Sequence, residues 1–102
     1  MIHVIATVNL SDGNREKFLH EFHQVVPHVL QEEGCIEYGP AIDVETNISA
    51  QAESRENTVT IIEKWESIEA LEAHLIATHM LEYRSKVKSF VKDVDLRILE
   101  PA

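Results

Sequence analysis

Apolar and polar residues alternate along the first ten positions of the chain. Ile2, Val4, Ala6, Val8 and Leu10 share one parity, and His3, Ile5, Thr7 and Asn9 share the other. A period of two marks a strand with one buried face. Ser11-Asp12-Gly13-Asn14 follows, a turn that can also cap the next helix. Over residues 14–33 the period lengthens. Phe18, Phe22, Val25, Val26 and Val29 recur at i, i+4, i+7, i+8 and i+11, a wide apolar stripe on a helix. Pro27 is expected to kink that helix, since it removes a backbone donor and crowds the preceding turn. Gly34 is the expected C-cap residue. Residues 35–44 return to strand parity through Ile36, Tyr38, Ile42 and Val44, with Gly39-Pro40 suggesting a bulge or an edge position. Residues 45–57, ETNISAQAESREN, are polar and read as a loop or an irregular β extension.

The stretch from Asn57 to His79 organises the remainder. Thr58 to Ile62 are all β-branched, and Glu63, Lys64 and Trp65 complete the strand they begin. Ser67 stands where a helix N-cap belongs. Ile68, Leu71 and Leu75 form one stripe, flanked by His74. His79 extends the stripe if the helix lasts that long and otherwise begins a turn. Met80, Tyr83, Val87 and Phe90 predict further helix, with Arg84, Lys86 and Lys88 outward. Val94, Leu96 and Ile98 then alternate with Asp93, Asp95 and Arg97 in a last strand. The order β-α-β-β-α-β predicts one α+β domain over residues 1–102 of ferredoxin-like arrangement, a four-stranded antiparallel sheet with its helices on one face. The other face keeps Ile5, Ala41, Leu99 and either Ile62 or the Val59, Ile61, Trp65 set. It is expected to pack against a second copy by twofold pairing.

Charge narrows the partners. Lys and Arg number 9 against 18 Asp and Glu, a net charge of −9. Phosphate recognition needs the opposite excess, so nucleic acid and anionic membrane surfaces are not expected partners. No apolar run approaches the roughly 20 residues of a membrane span. The single cysteine, Cys35, allows no intrachain disulfide, and the N-terminus lacks a basic leader, so a cytoplasmic location is expected. Cys35 has no CxxC partner, and no GxGxxG or phosphate loop is present.

Candidate chemistry centres on Trp65, His74 and His79. The two histidines are five apart, not the i, i+4 pair that grips zinc, and no Cys or acidic ligand completes a set, so no metal is expected. Near an indole they suit a pocket where a neutral imidazole takes a phenolic proton. Trp65 reads as a core or dimer anchor and as a wall for a flat aromatic ligand. Tyr38 and Tyr83 read first as packing and could also donate to a ligand. Glu63 shares the parity of Trp65 and is expected to pair with Arg or Lys across the sheet. Glu16, His20 and His23 line up as E-x3-H-x2-H on the solvent side of the first helix.

These residues resemble the antibiotic biosynthesis monooxygenase (ABM) domain family. Gly34-Cys35-Ile36-Glu37-Tyr38, with Glu33 beside it, resembles the family's E-x-G-C-x-x-Y segment. Glu63-Lys64-Trp65-Glu66 resembles its E-x-W strand end. Ala70-Leu71-Glu72-Ala73-His74-Leu75, with His79 following, resembles its A-L-x-x-H-L-x-x-x-H helix. The resemblance implies a dimeric α+β barrel and oxidation of quinol- or anthrone-type compounds by O₂ without metal or flavin. It implies His74 or His79 as proton acceptor and Trp65 with Tyr83 as walls. A haem-degrading branch uses an Asn, a Trp and a His. Trp65 fits, while Asn9, the candidate Asn, has the parity opposite to Val4, Ala6 and Val8. A non-catalytic dimer that binds a small ligand is the alternative. The longer 45–57 segment and Pro40 depart from the family pattern near the expected pocket mouth.

Overall fold

A computed structural model describes all 102 residues, Met1–Ala102. The elements are β1 (Ile2–Leu10), α1 (Arg15–Leu30), β2 (Cys35–Ala41), β3 (Thr58–Trp65), α2 (Ile68–Leu75), α3 (Thr78–Val87) and β4 (Val91–Leu99). The strands form one antiparallel sheet in the order β2-β3-β1-β4, with the helices on one face, the ferredoxin-like arrangement. The second helical segment is divided: α2 ends at Leu75, and His79 belongs to α3. No helix is long and apolar enough to cross a membrane.

Register decides which side chains meet. Val4 lies opposite Glu63 and Ile98, Ala6 opposite Ile61 and Leu96, and Val8 opposite Val59 and Val94. All of these point to the helix side, because cross-strand partners share a face. Phe18, Phe22, Val25 and Val29 of α1 close over that side, and the core also takes in Tyr38, Trp65, Leu71 and Met80. The other face carries Thr7, Asn9, Thr60 and Lys64, with Ile5 and Ile62 between them. Of the alternatives open at the second parity, Ile62 is the outward residue and Val59, Ile61 and Trp65 are in the core.

Several local expectations are corrected. The first helix stops at Leu30 with Gln31 as its cap, short of the expected residue 33, and Pro27 lies inside it. Pro27 and His23, whose carbonyl loses its partner, both lie on the exposed side, where water can replace the missing bond. Gly34 is not the cap. It sits at φ +82°, and a Cβ there would lie 2.6 Å from Cβ of Ala70. The absent side chain lets Gly34 lie against Ala70 of α2, and its carbonyl accepts from the Glu66 amide at 2.8 Å, just past the Cys35–Trp65 pair of β2 and β3. β2 ends at Ala41, leaving Ile42 and Val44 exposed; it is an edge strand, the second of the two readings of Gly39-Pro40, and its irregularity falls between Cys35 and Glu37. On α2 the buried residues are Leu71 and His74, while Ile68 is exposed. His74 is therefore part of the buried face and does not merely flank it. Residues 42–57 are irregular, and a two-pronged Arg55–Asp43 pair (2.8 and 3.0 Å) spans them. That guanidinium holds the Asp43 carboxyl down to about 2.

Candidate active site

A cavity of about 690 Å³ opens between the sheet and α3. Its walls are mostly apolar: Ala6 and Val8 from β1, Ile61 from β3, Val91, Val94 and Leu96 from β4, and Phe18, Leu75, Met80 and Val87 from the helices. Polar groups are few. Tyr38, Glu63, His74 and Tyr83 line it, as do Arg84 and Ser85 of α3 and Lys88, which caps that helix. Volume and lining suit a small aromatic molecule. Arg84 and Lys88, expected outward, stand at its rim.

His74 is the pivotal side chain. Ser67 caps α2, its hydroxyl accepting from the Ala70 amide at 3.1 Å, and the helix turns Leu71 and His74 inward. His74 is 2 % exposed. Its ring lies 4.6 Å from that of Trp65 and 5.2 Å from that of Tyr38, centroid to centroid. Nδ1 is 2.8 Å from Oε2 of Glu32. A carboxylate can only accept, so Nδ1 carries the hydrogen, and the other nitrogen, Nε2, has no hydrogen-bond partner within the chain. Burial holds the imidazole below its ordinary pKa, against the opposing pull of Glu32. His74 is thus a neutral ring of fixed tautomer whose free lone pair can meet a guest.

Glu32 binds both histidines. Its Oε2 also accepts from Nε2 of His79, at 2.7 Å. His79 stands on the far side of this carboxylate. It stacks on His28 at 5.9 Å and lines a smaller surface concavity with Glu21, Gln24 and Glu82, not the main cavity. Sequence reasoning left the choice between His74 and His79 open; only His74 faces the hollow. Glu32 itself was missed. It is the acidic residue two before Gly34, in the segment quoted for the family, and that spacing was the signal available.

Trp65 is fully buried, and its indole N–H donates to Oε1 of Glu63 at 2.9 Å. It anchors the floor behind His74 and does not itself line the cavity. Glu63 has no Arg or Lys partner, contrary to expectation, because its cross-strand neighbours are Val4 and Tyr38. Burial raises its carboxyl to about 7 despite the indole hydrogen bond. Tyr38 and Tyr83 both line the cavity, and both pack edge-on or stacked against Phe22. Burial pushes both phenols well above the usual tyrosine range, so they stay protonated as potential donors. Asn9 does not join this set. It lies on the opposite face of the sheet, donating to Asp93 at 2.8 Å and accepting from the Thr58 hydroxyl at 3.0 Å. An Asn–Trp–His constellation therefore does not assemble. Cys35 is half-buried, and burial with nearby Glu32 and Glu63 raises its thiol to about 11, so it is a poor nucleophile.

Comparison with known proteins agrees with this architecture. The chain is 42% identical, over 99% of its length and 98% of the relative's, to the Escherichia coli K12 protein named "Probable quinol monooxygenase YgiN". Its fold superposes on PA3566 of Pseudomonas aeruginosa with a TM-score of 0.81 at 23% identity, covering 99% of this chain and 93% of that one. Rv0793 of Mycobacterium tuberculosis gives a TM-score of 0.81 at 20% identity, covering 99% and 94%. Residues 1–86 match the family model described as antibiotic biosynthesis monooxygenase. By this match and by the Escherichia coli relative, the chain belongs to the antibiotic biosynthesis monooxygenase family.

Proposed function

We propose that the protein is a monooxygenase that oxidises a quinol or a similar phenolic aromatic with O₂, using His74 as the proton acceptor. The observation that carries this reading is the His74–Glu32 hydrogen bond of 2.8 Å at the wall of an apolar cavity. Glu32 fixes the tautomer and stabilises the imidazolium that forms when Nε2 accepts a proton. His79 holds Glu32 from behind and is a positioning residue.

The chemistry follows from the substrate's own electrons. A quinol O–H proton passes to Nε2 of His74, leaving an electron-rich quinolate. The quinolate gives one electron to O₂, producing a semiquinone radical and superoxide. These combine at a ring carbon that bears hydrogen, forming a C–O bond. Protonated by His74, the resulting hydroperoxide loses its C–H hydrogen and its outer oxygen as water. A carbonyl remains, so quinol plus O₂ becomes an oxygenated quinone plus water. The apolar walls exclude bulk water from the radical pair. The phenol groups of Tyr38 and Tyr83 can donate hydrogen bonds to the developing oxyanion.

A homodimer belongs to the same proposal. Val94, Leu96 and Ile98 lie on the helix side of edge strand β4, yet are 54%, 47% and 49% exposed. An apolar row of this kind at a sheet edge suits association, so the second copy is assigned to this surface and not to the face away from the helices, where the sequence pattern alone set it. The function is tested by oxygen uptake with a panel of naphthoquinols under ¹⁸O₂. We expect uptake above the quinol's own autoxidation, with one labelled atom in each quinone product. Uptake at the autoxidation rate, or a product without label, would contradict the proposal.

A further inference from the structure

The rim of the cavity carries two cations without anionic partners. Three of the Lys and Arg residues pair with carboxylates on the chain: Arg55 with Asp43, Lys64 with Glu37 and Arg97 with Asp95. Arg84 and Lys88 pair with none, and neither do Arg15, Lys17, Lys86 and Lys92; what sets Arg84 and Lys88 apart is that they border the cavity. Arg84 lies in the last turn of α3 and Lys88 caps its C-terminal end with helical backbone angles, four residues on, and both line the apolar cavity. Lys86, between them, faces the smaller concavity instead.

We propose that Arg84 and Lys88 form an anion subsite at the cavity mouth, so that the aromatic substrate carries a carboxylate or comparable anionic group. The inference rests on the cavity being the substrate site. A neutral aromatic closing the mouth would strip water from two charged groups and return nothing. A carboxylate replaces that water with charge-assisted hydrogen bonds, which a guanidinium can make two at a time. Cations near the C-terminus of a helix also complement its dipole. That role applies equally to Arg84, Lys86 and Lys88, and it does not require two of them to border an apolar hollow. The charge of Arg84 also bears on Tyr38, His74 and Tyr83, which puts it within electrostatic reach of the reacting end. An anionic substituent would partly neutralise it there. Only one carboxyl, that of Glu63, lines the same cavity, and its raised pKa weakens its repulsion of an anion near neutral pH.

The test uses redox-inert ligands, so that it does not depend on turnover. Binding of 2-naphthoate and of its neutral isostere 2-naphthamide is measured by calorimetry on the full chain. The variants are Arg84→Gln/Lys88→Gln and, as control, Lys86→Gln. In the unaltered protein we expect the carboxylate to bind about tenfold more tightly than the amide, the size of one charge-assisted hydrogen bond at a partly wet site. The preference should shrink with added salt, disappear in the double variant and persist in Lys86→Gln. Equal binding of the two ligands, or a preference that survives the double variant, would overturn the anion subsite and leave the cavity assignment standing. Binding of neither ligand would overturn both.

Discussion

Strands β3 and β4 flank β1 with the same alternation and meet opposite fates. Across from Val8, Ala6 and Val4, β3 places Val59, Ile61 and Glu63, none more than 6% exposed. Across from the same three residues, β4 places Val94, Leu96 and Ile98, none less than 47% exposed. Strand pattern cannot produce this difference, since both sets point to the helix side. The cover produces it. α1 has 16 residues and lays Phe18 and Phe22 over the middle of the sheet, whereas α2 and α3 have 8 and 10 and are broken at Ile76-Ala77. The helical layer runs out before β4, and the shortfall becomes the cavity. A period of two assigns a face; it does not say whether anything lies on that face.

The packed half is the place to expect the largest cost. Trp65→Ala should destabilise the protein by about 3–5 kcal/mol, read from the denaturant midpoint, because a fully buried indole leaves a hole its neighbours cannot fill. A loss below about 1 kcal/mol would mean the floor is not rigid. Glu63→Gln should act in the opposite direction. The folded carboxyl titrates near 7, well above its usual range, so it keeps a proton that the unfolded chain has already lost. Stability therefore falls as pH rises from the ordinary carboxylate range to about 7. Gln keeps a carbonyl for the Trp65 N–H and cannot ionise. Above pH 7 the variant should be more stable by on the order of 3 kcal/mol, with the gain vanishing in acid. A pH-independent difference would contradict the raised pKa.

The open half predicts a smaller effect on the chain and a larger one on assembly. Leu96→Asp should cost the isolated fold under about 1 kcal/mol, as expected for an exposed position. The same change should convert the proposed dimer to a monomer in size-exclusion chromatography with light scattering. An unaltered mass would remove β4 from the interface.

Much of the fold was legible because it is written in local patterns. β1 alternates cleanly, β3 is β-branched, and Ser67 caps α2 as its position suggests. What escaped depends on contacts between distant segments. Glu32 meets His74 and His79 across 42 and 47 residues, and no periodicity encodes that meeting. Glu63 was assigned a cation across the sheet, but register supplies Val4 and Tyr38, and its partner is the indole two residues on. Asn9 was carried as a substrate-binding candidate, and that expectation fails: its parity is opposite to that of the buried positions of β1, and register sets it on the other face, away from Trp65 and His74. Arg84 and Lys88 are exposed, as their outward placement predicts, but the sequence does not reveal that the helical layer stops short of β4 and leaves them beside a cavity.

Two imidazoles share one carboxylate oxygen, and only one of them faces the cavity. The most direct measurement is therefore kcat for quinol-dependent oxygen uptake in His74→Phe and His79→Phe, compared under one set of conditions with the unaltered protein. We expect His74→Phe to lose about 10²–10⁴-fold, the usual contribution of a positioned proton acceptor, and His79→Phe to stay within about tenfold. Equal losses in the two variants, or a His74→Phe protein that turns over normally, would contradict the assignment of His74 as the base.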